Sequence, residues 1–205
     1  GFIRMDGMPV GVVANQPCRL AGCIDINASD KAARFIRTCD CFNIPLLSLV
    51  DVPGYLPGTA QEWGGIIRHG AKMLYAWAEA TVPKIVIAVG KVYGGANPAM
   101  CSRDMEPDYI VAWPTCQRAV MGAEGAVNVL YKKELRESEN PDQLRAQRIA
   151  EYNEQFMNPY RAAERGKFED VIEPAETRAA VIRALSMFWG KKAEQPRRKH
   201  GNIPL

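Results

Sequence analysis

The chain has 205 residues, 47% apolar and 24% charged, with 26 Lys and Arg against 23 Asp and Glu for a formal net charge of +3. The length suits one domain of roughly 150–250 residues with its own core. The small positive excess is most visible in Lys191, Lys192, Arg197, Arg198 and Lys199, a run that reads as a solvated tail and makes no case for DNA or RNA.

No stretch approaches about 18 consecutive apolar residues, and no basic segment leads into an apolar signal core at the N-terminus. A soluble, intracellular protein without a membrane span is therefore expected. Because the chain begins at Gly1, it is read as a processed product or part of something longer.

Taken in order, "GFIRM" and "PVGVVAN" flank Asp6-Gly7, a two-residue hairpin signal, so two strands open the chain. Ser29 is placed to cap a helix over 30–42, where Ala33, Phe35, Ile36, Cys39 and Phe42 recur at helical spacing. Pro45 ends that helix and introduces the apolar strand "LLSLV". The loop "DVPGYLPGTAQEWGG" then leads into a helix reaching about residue 80, followed by a strand over 84–89. After "VYGGANPAMCSR" come a short helix near 97–103 and the strands "YIVAW" and "AVMG". Helices near 123–133, 141–156 and 175–190 follow, and "HGNIPL" closes the chain as an extended tail. Short apolar strands alternating with helices predict an α/β fold with largely parallel pairing. A nucleotide-binding doubly wound fold is the first alternative, but neither GxGxxG nor GxxxxGK[ST] is present.

Six cysteines (18, 23, 39, 41, 101 and 116) form no CxxC pair, and His69 and His200 stand far apart without zinc spacing, so no metal site is predicted. Cys39 and Cys41 fall on different faces of a helix and read as buried free thiols.

Gly94, Gly95 and Ala96 stand between an apolar strand and a possible helix start. Such a turn presents backbone N–H groups to an anionic oxygen, and small residues let a ligand approach closely. That describes an oxyanion hole, yet a tight turn alone also favours Gly-Gly.

"DVPGYLPGTAQEWGGIIRHGAK" (51–72), "YGGA" (93–96), "WPTCQRAVMGAEGAV" (113–127) and the ending "KHGNIPL" change the balance. In order and spacing they resemble the C-terminal half of the carboxyltransferase β subunit of biotin-dependent acyl-CoA carboxylases, of the propionyl-CoA carboxylase type, from Gly1 to Leu205. The resemblance implies a crotonase-like fold, a spiral of ββα units. It makes 1–205 a C-terminal-type, biotin-side domain, part of a longer subunit or paired with an N-terminal carboxyltransferase domain. The implied reaction moves a carboxyl group between N1′ of biotin and the α-carbon of a short-chain acyl-CoA. Biotin arrives on a carboxyl carrier subunit, after loading by a biotin carboxylase, and the family assembles as homo-oligomers, hexamers among them.

By the same match, the N–H groups of Gly95 and Ala96 hold the biotin ureido oxygen, while Gly94, Pro53, Gly54, Tyr55 and Leu56 wall the biotin pocket. No side-chain base is required, so His69 reads as a hydrogen-bonded structural residue. Glu124 reads as a helix-terminal acid, and the aromatic residues Tyr75 and Trp77 read as packing. A side chain at 95 is expected both to crowd the ligand and to meet a positive φ. Many family members read Tyr-Gly-Gly-Ala-Tyr-Asp, whereas Asn97-Pro98 stands here, which opens substrate choice. A biotin-dependent decarboxylase component shares the same motifs, and a non-catalytic crotonase-like assembly module is the alternative from another class.

Overall fold

The computed structural model describes every residue except Gln195 and Arg197, so Arg197 of the basic C-terminal run lies outside the described residues. Strands β1 (Phe2–Met5) and β2 (Met8–Ala14) form the expected antiparallel hairpin, with Asp6 and Gly7 at φ 49° and 79°. Two consecutive positive φ values match the right-handed twist of the flanking strands.

Helix α1 (Ile26–Cys41) begins earlier than Ser29 suggests. Asp25 is the cap: its Oδ1 accepts the Ala28 N–H at 2.7 Å. Ser29 is buried inside the first turn, and its hydroxyl donates to the Asp25 carbonyl at 2.9 Å. β3 (Leu46–Val52) follows. The helix expected to reach about residue 80 forms as α3 (Ile66–Glu79), but the segment read as a loop before it holds a further helix, α2 (Thr59–Gly64), which Gly65 ends in a left-handed conformation (φ 88°).

β4 (Lys84–Tyr93) continues past residue 89 to the glycine turn. α4 is a single turn (Ala96–Ala99), followed by β5 (Tyr109–Ala112) and β6 (Gln117–Ala119), which ends before Val120. The helix expected over 123–133 divides at Tyr131 into α5 (Ala123–Leu130) and α6 (Lys132–Glu137). α7 (Pro141–Phe156) matches expectation, with Asn140 as its cap and Pro141 in its first turn. α8 (Pro159–Glu164) and β7 (Asp170–Val171) have no counterpart in the sequence reading. α9 (Thr177–Phe188) is shorter than expected because Pro174–Glu176 forms a 3-10 turn.

The sheet order is β1-β2-β3-β4-β5-β7, with β6 also pairing β4. All pairs except the first hairpin are parallel. Alternation splits the core between the two faces. Leu46, Val50, Val52, Val86 and Ala88 pack with Ile36 of α1 and Met73 and Trp77 of α3. Leu47, Ile85, Ile87 and Val111 pack with Val181 and Leu185 of α9. Helices on both faces explain why these strands read as nearly continuous apolar runs. Among the described residues, no helix is long and apolar enough to cross a membrane.

Candidate functional site

Register brings the sequence-predicted segments together. Val52 of β3 pairs with Val92 of β4 in parallel, so the loop starting at Pro53 and the turn starting at Gly94 leave the sheet at the same, C-terminal end of these strands. β6 ends there too: Ala119 pairs with Tyr93, and the Gly94 N–H donates to the Ala119 carbonyl at 3.1 Å.

At the turn, Gly94 has φ 53° and Gly95 is right-handed at φ −70°, ψ −17°. The positive φ therefore falls at 94 and not at 95. The Asn97 N–H closes the turn onto the Gly94 carbonyl at 3.3 Å. Among the described residues, neither the Gly95 nor the Ala96 N–H meets an acceptor. A left-handed residue followed by a right-handed one turns successive N–H groups toward one side, the arrangement of an anion-binding nest. Gly95 is exposed and Ala96 fully buried, so an oxygen reaches the pair from the Gly95 side. A Cβ on Gly95 would have no atom within 4 Å, whereas one on Gly94 would lie 3.1 Å from the Val120 carbonyl oxygen.

Buried donors hold the far end of α4. The Trp77 indole N–H donates to the Ala99 carbonyl at 2.9 Å, and the Ser48 hydroxyl donates to the Met100 carbonyl at 2.8 Å. These satisfy carbonyls that so short a helix leaves unpaired. The serine was missed as an anchor, although a lone polar residue inside "LLSLV" is the signal that marks it. Asn97 is buried on α4 and Pro98 half-buried.

The 53–58 loop is fastened by its backbone to Ile24, which donates to the Gly54 carbonyl at 3.1 Å and accepts the Leu56 N–H at 2.9 Å. Tyr55 turns toward α3, where its hydroxyl donates to the Gly70 carbonyl at 3.3 Å. Burial pushes its phenol up to about 12. Its side chain therefore anchors the loop, and Pro53, Gly54 and Leu56 are half-buried beside it.

His69 is hydrogen-bonded as expected: Nδ1 lies 2.8 Å from Asp30, which also pairs with Lys72 at 2.9 Å. Burial works to raise the Asp30 carboxyl, but the hydrogen bonds to His69 and Lys72 outweigh it and hold the group below its ordinary value. Glu124 stands in the first turn of α5. Of the cysteines, 39, 101 and 116 are buried, but Cys41 is exposed, against the expectation of two buried thiols on α1. Among the described residues, no group of three or more His, Cys, Asp or Glu is arranged to hold a metal.

A groove of about 850 Å³ runs between β2, the 16–25 turn and α1, lined by Asn15, Arg19, Leu20, Ile24, Lys31 and Phe35. Residues 93–98 take no part in it. The turn is an open ledge in this chain.

The carboxyl transferase domain model matches residues 1–203. The methylmalonyl-CoA carboxyltransferase 12S subunit of Propionibacterium freudenreichii subsp. shermanii is 57% identical over 203 residues, covering 99% of this chain and 39% of that protein. The propionyl-CoA carboxylase carboxyltransferase subunit of Haloferax mediterranei is 58% identical over 205 residues, covering 100% and 40%. Methylmalonyl-CoA decarboxylase subunit alpha of Propionigenium modestum is 54% identical over 204 residues, again covering 100% and 40%. A crystal structure of transcarboxylase 12S, described as a hexamer assembly with methylmalonyl-coenzyme A and methylmalonic acid bound, superposes with a TM-score of 0.95 at 57% identity, covering 100% of this chain and 39% of that one. The geranyl-CoA carboxylase beta subunit of P. aeruginosa gives 0.80 at 29% identity, covering 100% and 38%. The α/β fold is accordingly the crotonase-like one, and the chain spans about two fifths of the length of the relatives it matches.

Proposed function

The chain belongs to the carboxyl transferase domain family, and we propose that it forms the biotin-side domain of an enzyme moving a carboxyl group between N1′ of biotin and the α-carbon of a short-chain acyl-CoA. The observation that carries this reading is the 94–96 turn. It pairs two N–H groups lacking acceptors with a residue at 95 whose missing side chain leaves the approach open. When bound, biotin supplies the carboxyl group on N1′ and, after its release, the nitrogen that takes the α-proton.

The chain's own part is to hold the ureido oxygen. The N–H groups of Gly95 and Ala96 donate to it and favour negative charge there, the kind of preorganised stabilisation worth about 3–4 kcal/mol per donor. Trp77 and Ser48 keep the turn rigid through α4. Pro53, Gly54 and Leu56 exclude water along the loop side, with Tyr55 fixing the loop to α3. Residues 94–98 carry no titratable side chain, which suits a site where proton transfer belongs to the ligand.

An N-terminal carboxyltransferase domain completes the open ledge and binds the acyl-CoA, and a carrier subunit loaded by a biotin carboxylase delivers the biotin. A homo-oligomer, with the 12S hexamer as the pattern, brings the halves together. Asn97 and Pro98 lie next to the donors and contribute to acyl selection. The similarity to methylmalonyl-CoA decarboxylase subunit alpha is nearly as high, and the same turn serves transfer in that direction. The deciding experiment measures carboxyl transfer by the full-length subunit with Gly95→Val, a substitution whose Cβ meets no atom within 4 Å.

A further inference from the structure

β4 changes partners halfway along its length. Ile85–Ala88 pair with β5, and Lys91–Tyr93 pair with β6, while β3 runs beside both halves. Two extra residues make the change. Val50 pairs with Ala88 and Val52 with Val92, so Asp51 alone stands opposite Val89, Gly90 and Lys91. Bulges of this kind interrupt the ladder and strand backbone groups.

Asp51 fills the interruption. Its Oδ1 accepts the Lys91 N–H at 2.7 Å. Gly90 makes the room, since a Cβ there would lie 2.6 Å from Asp51 Oδ1 and 2.7 Å from its carboxyl carbon. From the other side, Asn15 at the end of β2 accepts the Asp51 N–H through Oδ1 at 3.2 Å and donates through Nδ2 to the Gly22 carbonyl at 3.2 Å. Thr115 secures the outer flank by donating its hydroxyl to the Val89 carbonyl at 2.8 Å. Beyond Lys91, the short ladder to β6 leads directly to the Gly94 N–H bond with Ala119.

We infer that Asp51 is a positioning residue for the 94–96 turn. By closing the bulge it sets where β4 resumes, and so where the Gly95 and Ala96 N–H groups stand. The inference rests on the reading that this turn receives the biotin ureido oxygen. Oxyanion donors are sensitive to small displacements, because their value depends on aim.

The test uses the full-length subunit containing this chain, with free d-biotin as acceptor and methylmalonyl-CoA as donor. Asp51→Ala removes the acceptor, Gly90→Ala displaces it from the opposite side, and Asp51→Asn keeps an oxygen in place. The first two are expected to lower kcat/KM for biotin by about 10²-fold, the scale of an ångström-sized misplacement. Asp51→Asn is expected to restore transfer to near the wild-type rate. Methylmalonyl-CoA binding, followed by calorimetry, is expected to stay unchanged in all three.

Wild-type transfer by folded Asp51→Ala or Gly90→Ala overturns the inference. So does an Asp51→Asn variant as impaired as Asp51→Ala, or a parallel loss of methylmalonyl-CoA binding, which marks general damage. If Asp51→Ala does not fold, the other two variants decide. Normal transfer by Gly95→Val removes the underlying reading itself, whereas an inactive Gly95→Val beside an active Asp51→Ala removes only the positioning role.

Discussion

Gly70 of α3 and Tyr55 of the 53–58 loop share one volume: a Cβ on Gly70 would lie 2.7 Å from the ring carbons and the phenolic oxygen of Tyr55. Gly70→Ala would ordinarily help a helix by about 1 kcal/mol. Here overpacking of about 1–3 kcal/mol is expected to win, because the ring is rigid and its hydroxyl is tied to the Gly70 carbonyl. Urea denaturation checks this. On a Tyr55→Ala background the penalty should vanish, and an undiminished penalty there refutes the contact as its source.

The thiols supply a second expectation. Burial pushes Cys101 and Cys116 up to about 12 and Cys39 to about 11, while Cys18 and Cys41 are exposed. Native protein at about pH 8 should label quickly at Cys18 and Cys41 and leave the buried three untouched until it unfolds. The folded values lie above the unfolded one, so the stability from neutral thiols is full below the ordinary value of 9.0 and is lost as pH rises through about 11 to 12. Mass spectrometry of a labelled native sample checks the pattern, and rapid modification of Cys101 contradicts it.

What the sequence made legible was local. The Asp6-Gly7 turn and the Asn140-Pro141 start of α7 are set by residues within a few positions, and both form where expected. The start of α1 is not local in that sense. Ile24 bridges to Tyr55, so the chain enters the helix from a tertiary contact, and Asp25 rather than Ser29 is left at the cap. β7 is two residues long and exists through its pairing with β5, which leaves no period to read. At the site, the glycine turn and the proline loop stood out as motifs, and register brings them to one end of the strands. Two adjacent glycines cannot reveal which carries the positive φ. Asp51 and Lys91, 40 residues apart, meet only once β3 and β4 are aligned.

The Trp77 bond to Ala99 is buried at both ends. Trp77→Phe keeps most of the packing but leaves that carbonyl without its donor, so a loss of about 1–3 kcal/mol is expected. Thermal or urea unfolding measures it, and a neutral result would show that the carbonyl finds another donor.

The isolated chain should self-associate. Trp63 and Ile67, on either side of the Gly65 break, are 89% and 79% exposed, and Val129 and Leu130 of α5 are exposed as well. Large apolar side chains grouped on a surface mark contact sites. Trp63→Asp combined with Ile67→Glu should reduce hydrophobic-dye binding and aggregation. A clean monomer at high concentration that binds no dye, before any substitution, counts against the expectation.

The two glycines of the turn separate folding from chemistry. Gly94→Ala places a Cβ at φ 53° and 3.1 Å from the Val120 carbonyl oxygen, so it should cost about 1–2 kcal/mol of stability as a left-handed residue. Gly95→Val enters a right-handed position where the added Cβ would meet no atom within 4 Å, so the fold should tolerate it. Its side chain would instead occupy the approach to the Gly95 and Ala96 N–H groups, and carboxyl transfer by the full-length subunit should fall by roughly 10²-fold or more. His69→Gln should be far milder, since His69 is held by Asp30 and is assigned no proton transfer. Near-normal transfer by a well-folded Gly95→Val subunit would mean that the ureido oxygen is bound elsewhere and that the glycines serve only to turn the chain.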